Sequence, residues 1–445
     1  MKYRNTLVML AILLALGSYV YFYEIKGGEK RTAEKATSEK LLSFAKDSVT
    51  TLELTASGIS LKKEKDNKWT IVRPILAMTD DYAVTSIVNA VDASKRERTF
   101  ASNPSEYASF GVGPNASAIV LTHEGRRDTL HVGDKNMTGS SAFVRLNSDS
   151  VVFVSSAGLN SNANKTLYEL RDKSAMVFEV ADANRMVLKT PNATFEARKE
   201  DGKWSLHQPI VAPADESKIT QVLNRVRNGR IKRFAEEEPA DLKIYGLDKP
   251  AYQMEVRYGS DQATKTLLIG KADKDIFFAR DSSRPPVFGL DSSLVRDLNV
   301  KLSDMRDGKL TNYQTFESDE ITFQYPDRLI RCTKDTSGVW HFAAPDTGKV
   351  KSWKVTDLNG SLSGLRVDTF LDKSVSDAVS GIGSPRATIS VKTKGKEVAS
   401  VVIGGMQGNQ VYAKGSNQPS VAFIKNTEAD KLFVTIKDLA ESAQP

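Results

Sequence analysis

Cysteine occurs once in the 445 residues, as Cys332, and histidine only four times. A single thiol excludes an intramolecular disulfide, a Cys-rich zinc site and a dithiol redox pair, so the chain must fold on packing alone. His123, His131, His207 and His341 stand at unrelated places and form no HExxH pattern, no paired metal-ligand spacing and no Ser-His-Asp order. They are expected to be surface or strand residues. No GxxxxGK[ST] segment exists, and IGGMQG at 403–408 lacks GxGxxG order, so nucleotide binding is not expected. A large charge excess is also missing. Lys plus Arg at 62 against Asp plus Glu at 55 gives +7, too small and too dispersed for nucleic-acid binding. Apolar residues at 40% and charged residues at 26% exclude both a disordered chain and a polytopic membrane protein.

Only one long hydrophobic run is present, TLVMLAILLALGSYVYFY at residues 6–23. Eighteen helical residues cover ~27 Å, enough for one membrane crossing. Lys2 and Arg4 precede it, which places residues 1–5 in the cytoplasm, and Tyr19, Tyr21, Phe22 and Tyr23 cluster at its exit, where amphipathic rings favour the headgroup layer. The competing reading is a cleaved signal peptide, with Ala15 and Gly17 as the small residues before a cut. No cysteine follows the run, so lipid attachment there is excluded. Residues 24–43 alternate Glu and Lys with almost no large apolar side chain and read as a solvated stalk.

Beyond the stalk the chain repeats itself. Trp69, Trp204 and Trp340 are 135 and 136 apart, and each lies five residues before a proline, Pro74, Pro209 and Pro345. Gly111, Gly246 and Gly381 recur at 135, as do Phe153, Phe288 and Phe423. Strands ending in glycine, LHVG133, LLIG270 and VVIG404, follow in the same order. Val84, Ile87, Val88 and Val91 form a helical stripe that returns as Ile219, Val222, Leu223 and Val226, with Val355, Leu358 and Leu362 as its third version, interrupted by Asn359. Asp80 and Asp215 are N-cap candidates for the first two helices. A closing helix is expected through Leu294, Leu298, Leu302 and Met305. Strand runs broken by a helix, without βαβ alternation, give an α+β fold in three tandem domains of period about 135: residues 44–173, 174–309 and 310–445, here called copies one, two and three.

The segments KWSLHQP, IYGLDKP, LLIG, FFAR, VFGL and MRDGKL, with LYELRDK closing copy one, resemble the bacterial domain-of-unknown-function 4340 family over roughly residues 44–440. Copy one departs with FGVGPN and copy three with GIGSP. The resemblance implies an extracytoplasmic protein held by one N-terminal helix in the inner membrane, serving an ABC-type transport system related to gliding-motility transporters, and it supplies no catalytic residue.

The repeated Trp, Pro and Gly positions are read as structural anchors, and the pairs Asp80/Asp81 and Asp215/Glu216 as capping groups rather than a general acid and base. Cys332 is expected to be inert. Arg171-Asp172 and Arg306-Asp307, 135 apart, are read as inter-copy ion pairs or hydrogen-bond anchors. Arg225, Arg227, Arg230, Lys232 and Arg233 exceed what one helix end needs and form the candidate partner contact. The expectation is thus a non-catalytic scaffold or accessory subunit, without metal or cofactor, whose partner is an ABC-type permease or related subunit. The alternative is a binding module for a cell-envelope sugar, lipid or polymer.

Overall fold

The computed structural model describes residues 39–441 except 102, 148, 346–348 and 372–373, together with residues 9, 13 and 16–21. Most of the apolar run at 6–23 and of the stalk lies outside the described residues, among which no helix is long and apolar enough to cross a membrane. Two compact units divide the chain, residues 1–173 and 174–445.

In the first unit, alternating apolar side chains build nine strands: β1 (Val49–Leu54), β2 (Ile59–Lys63), β3 (Trp69–Arg73), β4 (Ala77–Met78), β5 (Arg98–Ala101), β6 (Ser117–His123), β7 (Arg126–Lys135), β8 (Ser141–Leu146) and β9 (Val151–Ser156). They form one antiparallel sheet in the order β4-β3-β2-β1-β6-β7-β8-β9-β5. Between the two edge strands β4 and β5 runs helix α1 (Asp81–Ala93). Its stripe Val84, Ile87, Val88 and Val91 is buried with Leu52, Leu54, Leu121 and Phe153 in one core, as an amphipathic helix on a half-buried sheet requires. Asp80 accepts the amide of Ala83 at 3.2 Å, and Asp81 Oδ1 accepts that of Trp69 at 3.2 Å. Asp80 thus caps the helix as expected, whereas Asp81, expected to cap as well, ties the helix start to strand β3 and to the Thr79 hydroxyl instead.

The second unit contains two further antiparallel sheets. One has nine strands between Ala183 and Asp291 in the same order; the other has eight between Glu320 and Lys425 and lacks only the counterpart of β4. Registers repeat as well: Leu52 faces Leu61 and Leu121, Met186 faces Ala197 and Val256, and Ile321 faces Cys332 and Val391. Cys332 is thus the counterpart of core Leu61 and Ala197. Helix α2 (Glu216–Arg227) is capped by Asp215, and copy two closes on α3 (Ser292–Asp297) and α4 (Leu302–Met305), two short helices where the periodicity predicts one. Leu294 and Leu298 belong to the first and its end, Met305 to the second, and all three stay in the core. Helix α5 (Ser352–Ser363) belongs to copy three. Asn359, the interruption of its stripe, is buried but donates to Ser318 Oγ and the Thr315 carbonyl and accepts from the Tyr313 hydroxyl, which removes the penalty of an unpaired amide.

Isolated bridges recur twice per copy. Lys40 pairs with Lys95, Ser174 with Arg230 and Lys309 with Arg366; Thr79 pairs with Arg171, Ala214 with Arg306 and Val350 with Ala440. Each copy owns a separate core. Trp69, Trp204 and Trp340 are 7%, 6% and 1% exposed, and the peptide bonds preceding Pro74, Pro209 and Pro345 are all cis.

Glycines recur as contact pairs. Gly111, Gly246 and Gly381 adopt φ of 69°, 69° and 70° at the end of a short helical turn, where a Cβ would be strained. Their partners Gly133, Gly270 and Gly404 lie where the strand register shifts. A Cβ on these would stand 2.0, 2.2 and 2.2 Å from the carbonyl oxygens of Phe110, Tyr245 and Ser380. The close approach needs hydrogen at both positions.

Gly270→Ala is therefore expected to lower the unfolding midpoint of the second unit sharply, whereas Gly202→Ala, whose φ of 79° is strained but which meets nothing within 4 Å, should cost only about 1–2 kcal/mol. Equal effects in chemical denaturation would refute the close-approach account. Burial pushes the Cys332 thiol up to about 11, so a thiol reagent at pH 8 should label it only on unfolding. Rapid labelling of the folded chain would contradict this.

Candidate functional site

The basic run 225–233 begins in the last turn of α2. Inward positions Ile219, Val222, Leu223 and Val226 are buried, which leaves Lys218, Gln221, Asn224, Arg225 and Asn228 on the outer side. Arg225 and Arg227 complement the carbonyl end of the helix. In the following strand Ile231 is buried, and Lys232 and Arg233 are exposed.

Most of these cations are met by carboxylates of their own unit. Arg225 Nε lies 2.6 Å from Asp297 Oδ2, and its Nη2 donates to Ser293 Oγ at 2.9 Å. Lys232 is 3.4 Å from Asp291, Arg233 is 2.5 Å from Asp273, and Arg227 is 3.9 Å from Glu179. Such exposed pairs contribute ~0–1 kcal/mol each to stability, but they lower the charge offered to a partner. Asp291 also caps α3. Hydrogen bonds from the Ser293 hydroxyl and amide, with Lys232 adding less, hold its carboxyl at about 2, below 3.8.

Two depressions flank the end of α2 and share Asn228. The larger, about 440 Å³, lies between α2 and the α3–α4 segment, with Arg296, Asp297, Asn299 and Asp304 on its far wall and Val222 and Val300 below. The smaller, about 380 Å³, is bounded by residues 174 and 176–179 together with Arg227 and Arg230. A shallower one of about 470 Å³ lies over the polar face of the copy-two sheet. There Arg185 stands directly between Arg198 and Arg257 in register. Buried Glu196 accepts from Arg185 and Arg198, both at 2.9 Å. Burial pushes that carboxyl up, but these hydrogen bonds prevail and leave it below its ordinary value.

The remaining sequence-selected residues have structural surroundings. The Trp, Pro and Gly anchors lie in cores and turns as above. Buried His123 bonds Asp128 at 2.8 Å, and His341 bonds Asp335 at 2.7 Å; His207 lies 3.2 Å from Ser205 Oγ. Burial, helped by Arg145, pushes the His131 imidazole below its ordinary value. No group of three metal-capable His, Cys, Asp or Glu side chains occurs among the described residues. Arg306 makes no ion pair among the described residues but stacks on Phe370 of copy three, 3.7 Å from the ring centroid, and Asp307 accepts from Asn417 and Gln418. Hydrogen-bond anchoring holds for the aspartate; a cation–π contact takes the place of an ion pair for the arginine. The sequence singled out neither Gln221, Asn224 and Asn228 nor Arg296 and Asn299. The first three share a helical face and were legible as such, whereas the far wall comes from residues some 70 positions later.

A family model described as "Domain of unknown function (DUF4340)" matches residues 69–210 and 204–380. The matched stretches begin at Trp69 and Trp204, one repeat apart. No curated protein and no solved structure matches the chain.

The Asp291 carboxyl favours its charged form in the fold, so its stabilising effect is complete above pH 3.8 and lost as pH falls through about 2. An NMR titration should place its midpoint near 2, and Ser293→Ala should move it up toward 3.8. A midpoint that does not respond to Ser293→Ala would refute the assigned cause.

Proposed function

The chain belongs to the DUF4340 family, and from that premise we propose that it is a membrane-anchored, non-catalytic extracytoplasmic scaffold or accessory subunit of an ABC-type transport system. Residues 6–23 cross the inner membrane once with residues 1–5 in the cytoplasm, and the three tandem copies occupy the periplasm or extracytoplasmic space. The charged residues after the crossing form a stalk that ends before Lys40 and Leu41, which the sequence assigns to it but which pair with and pack into copy one. Its partner is an ABC-type permease or related subunit, and it acts without nucleotide, nucleic acid or cofactor. The transporter association comes from the family resemblance.

One observation carries the scaffold reading: the side chains that recur from copy to copy serve structure. The tryptophans fill cores, the glycines permit close backbone contacts, and Asp80 and Asp215 cap helices. What the copies share is therefore architecture. A second reading, a binding module for an envelope sugar, lipid or polymer, is favoured by the α2 depression, because its lining changes between copies. Ser86, Ala90 and Ala93 of copy one, and Asp357, Ser361 and Gly364 of copy three, stand at the places of Gln221, Arg225 and Asn228.

Crosslinking of the full chain in native membranes, followed by mass spectrometry, should recover a permease-type subunit. Arg227→Glu with Arg230→Glu should weaken that capture several-fold, more at low salt than at high, with thermal unfolding nearly unchanged. Recovery of no membrane protein by the unaltered chain would overturn the scaffold reading, and capture indifferent to the reversal would remove these residues from the contact.

A further inference from the structure

We propose that the depression between α2 and the α3–α4 segment binds a carboxylated, hydroxyl-rich ligand, a stretch of uronic-acid glycan; this rests on the second reading above and names its ligand class. Four exposed amides line it, Gln221, Asn224, Asn228 and Asn299. Each amide presents a donor pair beside an acceptor, the combination that vicinal hydroxyls satisfy as acceptor and donor. The wall is also held in place. Arg225 is fixed by Asp297 and Ser293, Lys218 Nζ donates to Gln221 Oε1 at 3.1 Å, and Asn299 Oδ1 accepts from Asn192 at 3.4 Å. Val222 and Val300, buried beneath the amides, close the floor with apolar packing. Arg296, exposed and in no ion pair among the described residues, is the cation left for a ligand carboxylate.

The same inventory disfavours an acidic peptide. Asp297 and Asp304 stand on the wall beside Lys218, Arg225 and Arg296, so carboxylates beyond the one that Arg296 meets gain little. The ligand's hydroxyls, which can donate to Asp304, supply the rest; an acidic peptide side chain has no hydroxyl to offer. About 440 Å³ falls within the usual range for small-ligand sites.

Isothermal calorimetry on the full chain in detergent provides the test, with tetragalacturonate as probe, neutral maltotetraose and hexaglutamate as comparisons, and unchanged thermal melting required of every variant. Tetragalacturonate should bind at least tenfold more tightly than maltotetraose. Arg296→Gln should abolish that preference, and Asn224→Ala with Asn228→Ala should weaken both saccharides about tenfold. Hexaglutamate binding as tightly as the uronate would overturn the proposal in favour of an acidic-peptide surface. Maltotetraose binding as tightly as tetragalacturonate would overturn the uronate class and keep a sugar-binding module. Absence of saccharide binding by the folded chain would overturn the proposal and the sugar form of the second reading, and a permease recovered by crosslinking would then leave the scaffold reading standing.

Discussion

Each copy has one apolar sheet face to cover and one long helix with which to begin covering it. An antiparallel sheet of eight or nine strands exposes on that face more apolar surface than its turns can hide, and water penalises it at ~25 cal/mol per Å². Sending the helix from one edge strand to the other uses the connection itself as the lid. That route fixes much else: the aspartate cap at one edge in copies one and two, the cations at the carbonyl end near the other edge in copy two, and the short closing helices beside the lid.

The period of 135 was legible because the same burial constraint is imposed three times. A tryptophan, a helical stripe and a glycine in a left-handed turn cannot drift without losing packing, so they stayed in step in the sequence. The break between α3 and α4 was not legible, since Leu294, Leu298, Leu302 and Met305 keep helical spacing across it. The glycine contacts were half legible. Positions 111, 246 and 381 suggested a turn, but nothing local shows that 133, 270 and 404 sit against that turn's carbonyls.

The candidate site shows a different limit. A run of five cations in nine residues looks like surplus charge when its neutralising partners are unseen, and those partners lie at Glu179, Asp273, Asp291 and Asp297. Pairing across 40 to 72 residues is a property of the sheet and helix order, not of local composition. For the same reason the α2 face could be read as polar, while its opposing wall at residues 296–304 could be joined to it only once the closing helices were placed.

Where copies differ, the differences concentrate on surfaces the core does not govern. Within the second unit, Arg306 lays its guanidinium on Phe370 and Asp307 engages Asn417 and Gln418. These contacts attach the end of copy two to copy three. At the place of Arg306, copy three has Ala440, which keeps the backbone bridge to Val350 but not the guanidinium. The bridge belongs to the fold of every copy, and the arginine to copies one and two, as Arg171 and Arg306. The same logic separates α2 from α1 and α5: equivalent inward stripes, with Asn359 the one polar member, meet similar packing demands, and the outward faces are free to diverge. A repeat protein can thus hold three cores constant while giving one copy long amides and guanidinium groups, at little cost in stability because those positions face solvent.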